Sequence, residues 1–370
     1  MPVKKILFNL KYFDWQLLVV AIILISFGLA SLYSVALSRG EQELLNFKKQ
    51  IVFFILGLIL IFLLSFFDYS LLQSYSLFFY IASAGLLILV LFLGITLRGT
   101  TGWFNIFGVN FQPVEIAKLA LIIFLADLFS REAKRKDFFS FIMLSGFSAL
   151  LLFVLVLLQP DFGSAVVLFL IWLLMVLAIG VRKSYLVILT IILILSVAMA
   201  WFFVFADYQK DRIRTFLDPS SDPYGRGYHV TQSVIAIGAG GFLGRGLGFG
   251  SQSQLKFIPA AQTDFIFAVL GEELGLLGVG LVMLCFGYLF YRILKIARSA
   301  PTDFGLFLCL GIGALFFSQF FINTGMNLGI MPVTGISLPF LSYGGSFLVM
   351  TMVMIGILES IAIRSIKYRV

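Results

Sequence analysis

Long apolar runs, broken at intervals by short polar or basic clusters, dominate the chain, and apolar residues do not alternate with period two. Runs of about 18 or more apolar residues suffice to cross a bilayer as helices of roughly 20 residues. A spanning segment must satisfy its own backbone groups, which makes helix the form that fits this pattern. The pattern predicts ten spans, near Trp15–Val35, Ile51–Phe67, Leu77–Leu97, Phe111–Phe129, Phe139–Leu158, Ser164–Val181, Leu186–Phe205, Leu274–Leu294, Gly305–Leu328 and Phe347–Ile363. The fourth fits least well, because it carries Glu115, Lys118 and Asp127. The first is too long for the apolar core of a cleaved signal peptide, and no clear small-residue cleavage site closes it. The expected fold is an all-α polytopic membrane protein. One membrane domain covers residues 1–370, and a long extracytoplasmic loop, 206–275, lies between helices 7 and 8.

Composition supports this class. Hydrophobic residues are 61% and charged residues 12%, against about 25% charged in an ordinary globular domain. That excludes a soluble protein. The net charge of +8 is mainly a topology signal. With both termini cytoplasmic, basic clusters such as Arg131–Lys136, Arg182-Lys183 and Arg364–Arg369 fall inside, whereas the short outer loops hold Arg39, Lys48, Lys49 and Arg98. The asymmetry places the 206–275 loop outside. Because the basic residues are scattered over separate membrane edges, no nucleic acid is expected as a partner. Cys285 and Cys309 fall within spans and read as small buried hydrophobes.

Charges inside a membrane suggest function by default. Glu115 and Lys118, three apart on one helical face, can pair, as a functional couple or as an ion pair that fixes packing. Gln112-Pro113 suits a helix start. Asp161 reads as a cap and turn residue or as a ligand contact, and Glu359, close to Arg364, as a snorkelling or packing residue.

The outer loop holds most of the remaining chemistry. Arg212 and Arg214 can grip phosphate bidentately or pair with Asp211, Asp218 or Asp222. The glycines of 237–254 lack the flanking strand and the Lys-Ser/Thr of phosphate-binding loops, so that stretch reads as a re-entrant or surface-lying turn segment. Asp264 opens an apolar stretch beside Thr263, a possible cap. Near a helix N-terminus its carboxylate tends to stay ionised and is suited to act as a general base on a sugar hydroxyl; capping is the plainer role. Glu272-Glu273 can hold a divalent cation or pair with basic residues of the loop, with at most one facing the site. His229, the only histidine, reads as a hydrogen-bonded loop residue. The stretch 331–347, with two prolines, three glycines and Ser342-Tyr343, is a candidate cavity wall or an ordinary turn.

Five motifs, FQPVEIAKLA (111–120), QPDFGSA (159–165), DPYGRGYHVTQSVIAIGAGG (222–241), TDFIFAVLGEELG (263–275) and MPVTGISLPFLSYGGS (331–346), together resemble the SEDS family (shape, elongation, division and sporulation). The resemblance spans nearly the whole chain, and the short termini and overall length look more like the RodA than the FtsW members. It implies a ten-helix peptidoglycan glycosyltransferase that polymerises lipid II at the outer face of the bacterial cytoplasmic membrane, for cell elongation and rod shape. The family's essential loop aspartate falls on Asp264, taken as catalytic. Its span-four pair falls on Glu115 and Lys118, and its loop arginine on Arg212. Together with Trp103 and Ser342, these are the substrate-binding candidates. The resemblance also implies a class B penicillin-binding protein, the wider elongation machinery and a divalent cation (Mg or Mn). Two positions depart from the family: Pro259-Ala260-Ala261-Gln262 stands where Pro-Glu-x-His is frequent, and Gly102 replaces an arginine before Trp103.

In the expected chemistry the acceptor's 4-hydroxyl attacks the donor's anomeric carbon and lipid diphosphate leaves. Asp264 takes the proton, and Arg212, Lys118 and a metal ion offset the diphosphate's charge. Two other readings fit ten spans with intramembrane charge: a flippase for a lipid-linked precursor and a non-catalytic scaffold of a cell-wall synthase.

Overall fold

The computed structural model describes residues 11–97, 99–106, 108–132, 138–180, 207–218, 222 and 225–367. Its elements in chain order are α1 (Trp15–Arg39), α2 (Glu41–Phe66), α3 (Ser70–Ser74), α4 (Ser76–Leu93), β1 (Ile95–Leu97), β2 (Thr100–Ile106), β3 (Val109–Phe111), α5 (Pro113–Glu132), α6 (Phe138–Leu157), α7 (Phe162–Ala178), α8 (Asp207–Leu217), α9 (Arg226–Gly240), α10 (Ser251–Gln254), α11 (Ile266–Ser299), α12 (Asp303–Asn327) and α13 (Gly345–Lys367). Among the described residues six helices, α1, α2, α4, α11, α12 and α13, are long and apolar enough to cross a membrane. The apolar helical stretches Phe141–Leu157 and Phe162–Ala178 are shorter. A described helix lies at every predicted span except the seventh, Leu186–Phe205, which falls outside the described residues, as do Arg98, Lys134, Arg135, Lys136, Arg182 and Lys183.

Local chemistry sets several helix starts. Asp14 caps α1 by accepting from Leu17 N at 3.2 Å, Asp161 caps α7 through Ser164 N at 3.0 Å, and Thr302 caps α12 through Gly305 N at 3.1 Å. Each satisfies a donor that the helix cannot. Asp161 therefore takes the cap role, and it also accepts from Gln112 Nε2 at 3.2 Å.

The stretch before α5 departs from the all-α expectation. It folds as a three-stranded antiparallel sheet in the order β1-β2-β3, so the third predicted span stops short of Leu97. Gly99 and Gly108, at φ +82° and +79°, supply the left-handed turns that tight hairpins demand. Thr, Trp, Phe and Ile between them suit a half-buried pleat.

α2 packs along α13, and α12 runs through the centre between α5, α7 and α11. Two polar knots are built into the bundle. Asp127 accepts from Ser76 Oγ at 2.6 Å, Gln73 Nε2 at 3.1 Å and Arg131 Nε at 2.8 Å. Glu359, fully buried, accepts from Asp14 N at 2.9 Å, and Asp14 pairs with Arg292. Glu359 is thus neither snorkelling nor tied to Arg364, which bonds instead to Ser360 and to the carbonyl of Phe66.

Candidate functional site

The long insertion holds helices α8, α9 and α10, and α9 and α10 pack against α11, which is broken within its length. Gly275 takes φ 64°, ψ −165° inside that helix. The break starts the ladder anew, and the chain from Gly241 to Gly246 fills it. Leu276 N donates to Gly241 O at 2.9 Å, Leu277 N to Phe242 O at 3.1 Å, Arg245 N to Glu272 O at 3.0 Å and Gly246 N to Glu273 O at 2.9 Å. The glycine-rich stretch is therefore a plug that satisfies orphaned helix groups. A Cβ on Gly240 would run into Gly271 O, and one on Gly244 into Glu273 O. Gly240→Ala and Gly244→Ala are each expected to lower stability by about 1–3 kcal/mol, read as a lowered midpoint of thermal unfolding in detergent, with Gly238→Ala, whose Cβ meets nothing within 4 Å, nearly neutral.

The plug positions the buried half-helix Ile266–Leu274 and the turn that precedes it. Ala260, at φ 47°, accepts from the N–H groups of Thr263, Asp264 and Phe265 at 3.0, 3.2 and 3.3 Å. Three carbonyls of that turn are gripped from outside. Tyr343 N donates to Gln262 O at 2.8 Å, and Ser342 Oγ to Thr263 O at 2.6 Å. Asn323 Nδ2 and Asn327 Nδ2 reach Asp264 O at 2.9 and 3.0 Å. Asp264 is half-buried, while its neighbours on both sides are buried. The helix cap is Phe265 with no side-chain bond. Thr263 Oγ1 is turned toward the carbonyl of Ala260.

Arg212 approaches the same place from α8. Its Nη1 lies 3.5 Å from Thr334 O, and a Cβ on the next residue, Gly335, would lie 3.7 Å from Asp264 Oδ2. A guanidinium and a carboxylate thus border one short stretch of the 331–346 segment. Arg212 also lines a shallow crevice of ≈ 20 Å³ with Thr215, Phe216, Val230 and Met331 to Val333. Arg214 instead pairs with Asp211 at 3.2 Å. His229 sits on helix α9, not in a loop, with its ring edge-on to Phe265 at 6.2 Å between centroids.

Other expected site residues are placed differently. Glu115 and Lys118 form a 2.7 Å ion pair with side chains 5% and 2% exposed, sealed in the first two turns of α5. The Lys118 ammonium is engaged by Glu115. Ser342 is 1% exposed and uses its hydroxyl twice, donating to Thr263 O and accepting from Leu338 N at 2.8 Å. It is a clamp on the turn rather than a substrate contact. Trp103 is half-buried on β2, in the sheet that packs over α4, α5 and α13.

Glu272 and Glu273 pair with no basic residue in the described structure. Glu272 accepts from the N–H groups of Gln252 and Ser253 at 2.7 and 2.9 Å, and Glu273 from Ser34, Gln254 and Ser253. Both oxygens of Glu272 and Oε1 of Glu273 are engaged by neutral donors, Glu273 Oε2 is buried without a hydrogen-bond partner, and among the described residues no group of three His, Cys, Asp or Glu could hold a metal. These side chains do not fit a protein cage for a divalent cation. Sequence reasoning missed Asn323 and Asn327. Two amides four residues apart in an apolar span were the signal, since polar groups at membrane depth call for partners.

Comparison with known proteins adds to this geometry. Residues 14–367 match the FtsW/RodA/SpoVE family, described as "Cell cycle protein". The chain is 34% identical over 363 residues to "Peptidoglycan glycosyltransferase MrdB" of Escherichia coli (strain K12), covering 97% of this chain and 96% of that one. It is 36% identical over 366 residues to "Probable peptidoglycan glycosyltransferase FtsW" of Trichlorobacter lovleyi, covering 96% and 94%. The fold matches a chain of the solved structure "Structural coordination of polymerization and crosslinking by a peptidoglycan synthase complex", with TM-score 0.81, 32% identity and coverage of 95% and 98%. It also matches the rod shape determining protein RodA of Thermus thermophilus, with TM-score 0.70, 28% identity and coverage of 95% and 96%. Identities of 34% and 36% do not separate the MrdB and FtsW branches, so the lean toward RodA is undecided by them.

Proposed function

The chain belongs to the FtsW/RodA/SpoVE family and is a multi-pass membrane peptidoglycan glycosyltransferase of cell-wall synthesis; from that premise we propose that it polymerises lipid II, with Asp264 as general base and Arg212 as a ligand of the diphosphate. The observation that carries the proposal is the juxtaposition of those two side chains across Thr334-Gly335. The acceptor's 4-hydroxyl attacks the donor's anomeric carbon, the new C–O bond forms as the bond to diphosphate oxygen breaks, and the hydroxyl proton passes to Asp264. A general base must lie within hydrogen-bond reach of the proton it removes, and the half-buried Asp264 is open to such an approach on a turn whose flanking residues are buried. A half-buried guanidinium stabilises the departing charge more than it would in open water. The divalent cation implied by the resemblance would enter with the substrate's diphosphate, and no step here runs through it.

We place the end that carries the sheet, the Asp264 turn and the Gly241–Gly246 plug at the outer face of the bacterial cytoplasmic membrane, with both termini cytoplasmic. The partners proposed are a class B penicillin-binding protein, which supplies the transpeptidase, and the elongation machinery. Arg212→Ala is expected to lower kcat/KM for lipid II by about 10- to 100-fold, the range for losing one hydrogen bond to a charged group, and Arg214→Ala to change it little. Rates of lipid II consumption by the two purified variants check this.

A further inference from the structure

Gln262 carries polar chemistry that the fold leaves unused. The residue is 5% exposed, and both Nε2 and Oε1 are buried without a hydrogen-bond partner. Among the described residues no other amide has both ends in that state. Leaving a buried polar group unpaired costs about 1–3 kcal/mol, and the turn gains nothing visible in return. The carbonyls of Gln262, Thr263 and Asp264 are already held by Tyr343, Ser342, Asn323 and Asn327. Gln50 shows the contrast, because its amide is used at both ends, donating to Ser342 O and accepting from Gly344 N, each at 3.2 Å.

The surroundings repeat the pattern. On α1, Gly28 meets the backbone of Leu341, and Val35 joins the cluster of Ala261 and Phe265. Ser31 lies between them on the same helical face, and its hydroxyl is also buried without a partner. Unused amide and hydroxyl capacity therefore collects two residues from the proposed base. The turn and the segment packed on it each hold one non-glycine residue in the left-handed region, Ala260 at φ 47° and Phe340 at φ 68°. Such strain persists where the surrounding structure holds it, typically at ligand clamps and switches.

A primary amide offers a donor and an acceptor side by side, which complements the N–H and C=O of a secondary amide. The sugars of peptidoglycan carry such a group as N-acetyl. We propose that Gln262 is a specificity-determining residue that pairs with an N-acetyl group of the saccharide bound at Asp264, reached by a rotamer change of Gln262 that leaves the 331–346 segment in place. This deepens the lipid II reading of the site and rests on it.

Gln262→Met keeps the length and removes the amide, so the two roles predict opposite signs. Removal of an unpaired buried amide leaves stability unchanged or raises it. Loss of a substrate contact raises KM for lipid II by about tenfold or more with kcat little changed. The wild type should prefer lipid II over an analogue with free amines in place of its N-acetyl groups, and Gln262→Met should lose that preference. Gln262→His, which keeps a donor and an acceptor, should recover part of it. A wild-type KM with unchanged preference in Gln262→Met overturns the inference. So does unfolding of both Gln262→Met and Gln262→Leu, which would show that the fold itself uses the amide. Asp264→Asn measured in parallel separates the readings. If it polymerises normally, the site assignment fails whatever Gln262 does; if it is dead and the Gln262 variants behave as wild type, only this inference fails.

Discussion

Asp264→Asn will bind lipid II and fold as the wild type does, yet its polymerisation rate will fall by about 10²–10⁴-fold, the contribution typical of a positioned general base. The reason lies in how the turn is held. Its fixings run through the backbone carbonyls of residues 262–264 and through Ala260 O, and an amide at 264 leaves all of them in place. An Asn side chain keeps a carbonyl oxygen able to accept a hydrogen bond where the carboxylate did. What the substitution removes is a site for the proton of the attacking hydroxyl. Unchanged thermal unfolding together with lost glycan synthesis checks this, whereas a variant that loses both together would mark Asp264 as structural.

Lys118→Met is expected to destabilise the protein by about 3–5 kcal/mol, because it leaves the Glu115 carboxylate buried and uncompensated. The pair sits at 2.7 Å with almost no exposure of either side chain. The double variant Glu115→Leu/Lys118→Met removes both charges and is expected to recover most of that loss, since an apolar replacement of a whole buried pair is often neutral. Thermal unfolding of the two singles and the double, read as a cycle, isolates the coupling. If the double variant is stable and polymerises lipid II, the pair serves packing. If it is stable and inactive, the pair serves the chemistry despite its burial.

The bundle was legible because a run of about 20 apolar residues has few other fates in a bilayer. That signal located α1, α2, α4, α12 and α13 directly. It misjudged α11, whose helix begins at Ile266 rather than Leu274, because the first half is a buried half-helix ended by Gly275 and the sequence reads as loop. Asp264 and Arg212 were legible as chemistry, but their meeting across Thr334-Gly335 was not, since it depends on how 331–346 folds over the turn. Most of the small sheet fell in the short connection between the third and fourth predicted spans, and β1 was absorbed into the apolar end of the third. Ser342, Glu272 and Glu273 looked available and are spent on internal bonds that only the fold creates. Asn323 and Asn327 show the reverse, since they face no solvent in the sequence pattern and hold the proposed catalytic turn in the structure.

The measurement that tests the central claim most directly is glycan synthesis from purified lipid II in detergent, by this protein together with a class B penicillin-binding protein and no other glycosyltransferase. Detergent leaves no membrane sides to cross, so a flippase has nothing to do there, and a scaffold forms no bond. The account predicts glycan strands with the wild type and none with Asp264→Asn. Absence of strands with the wild type, or equal strands from both, would contradict it.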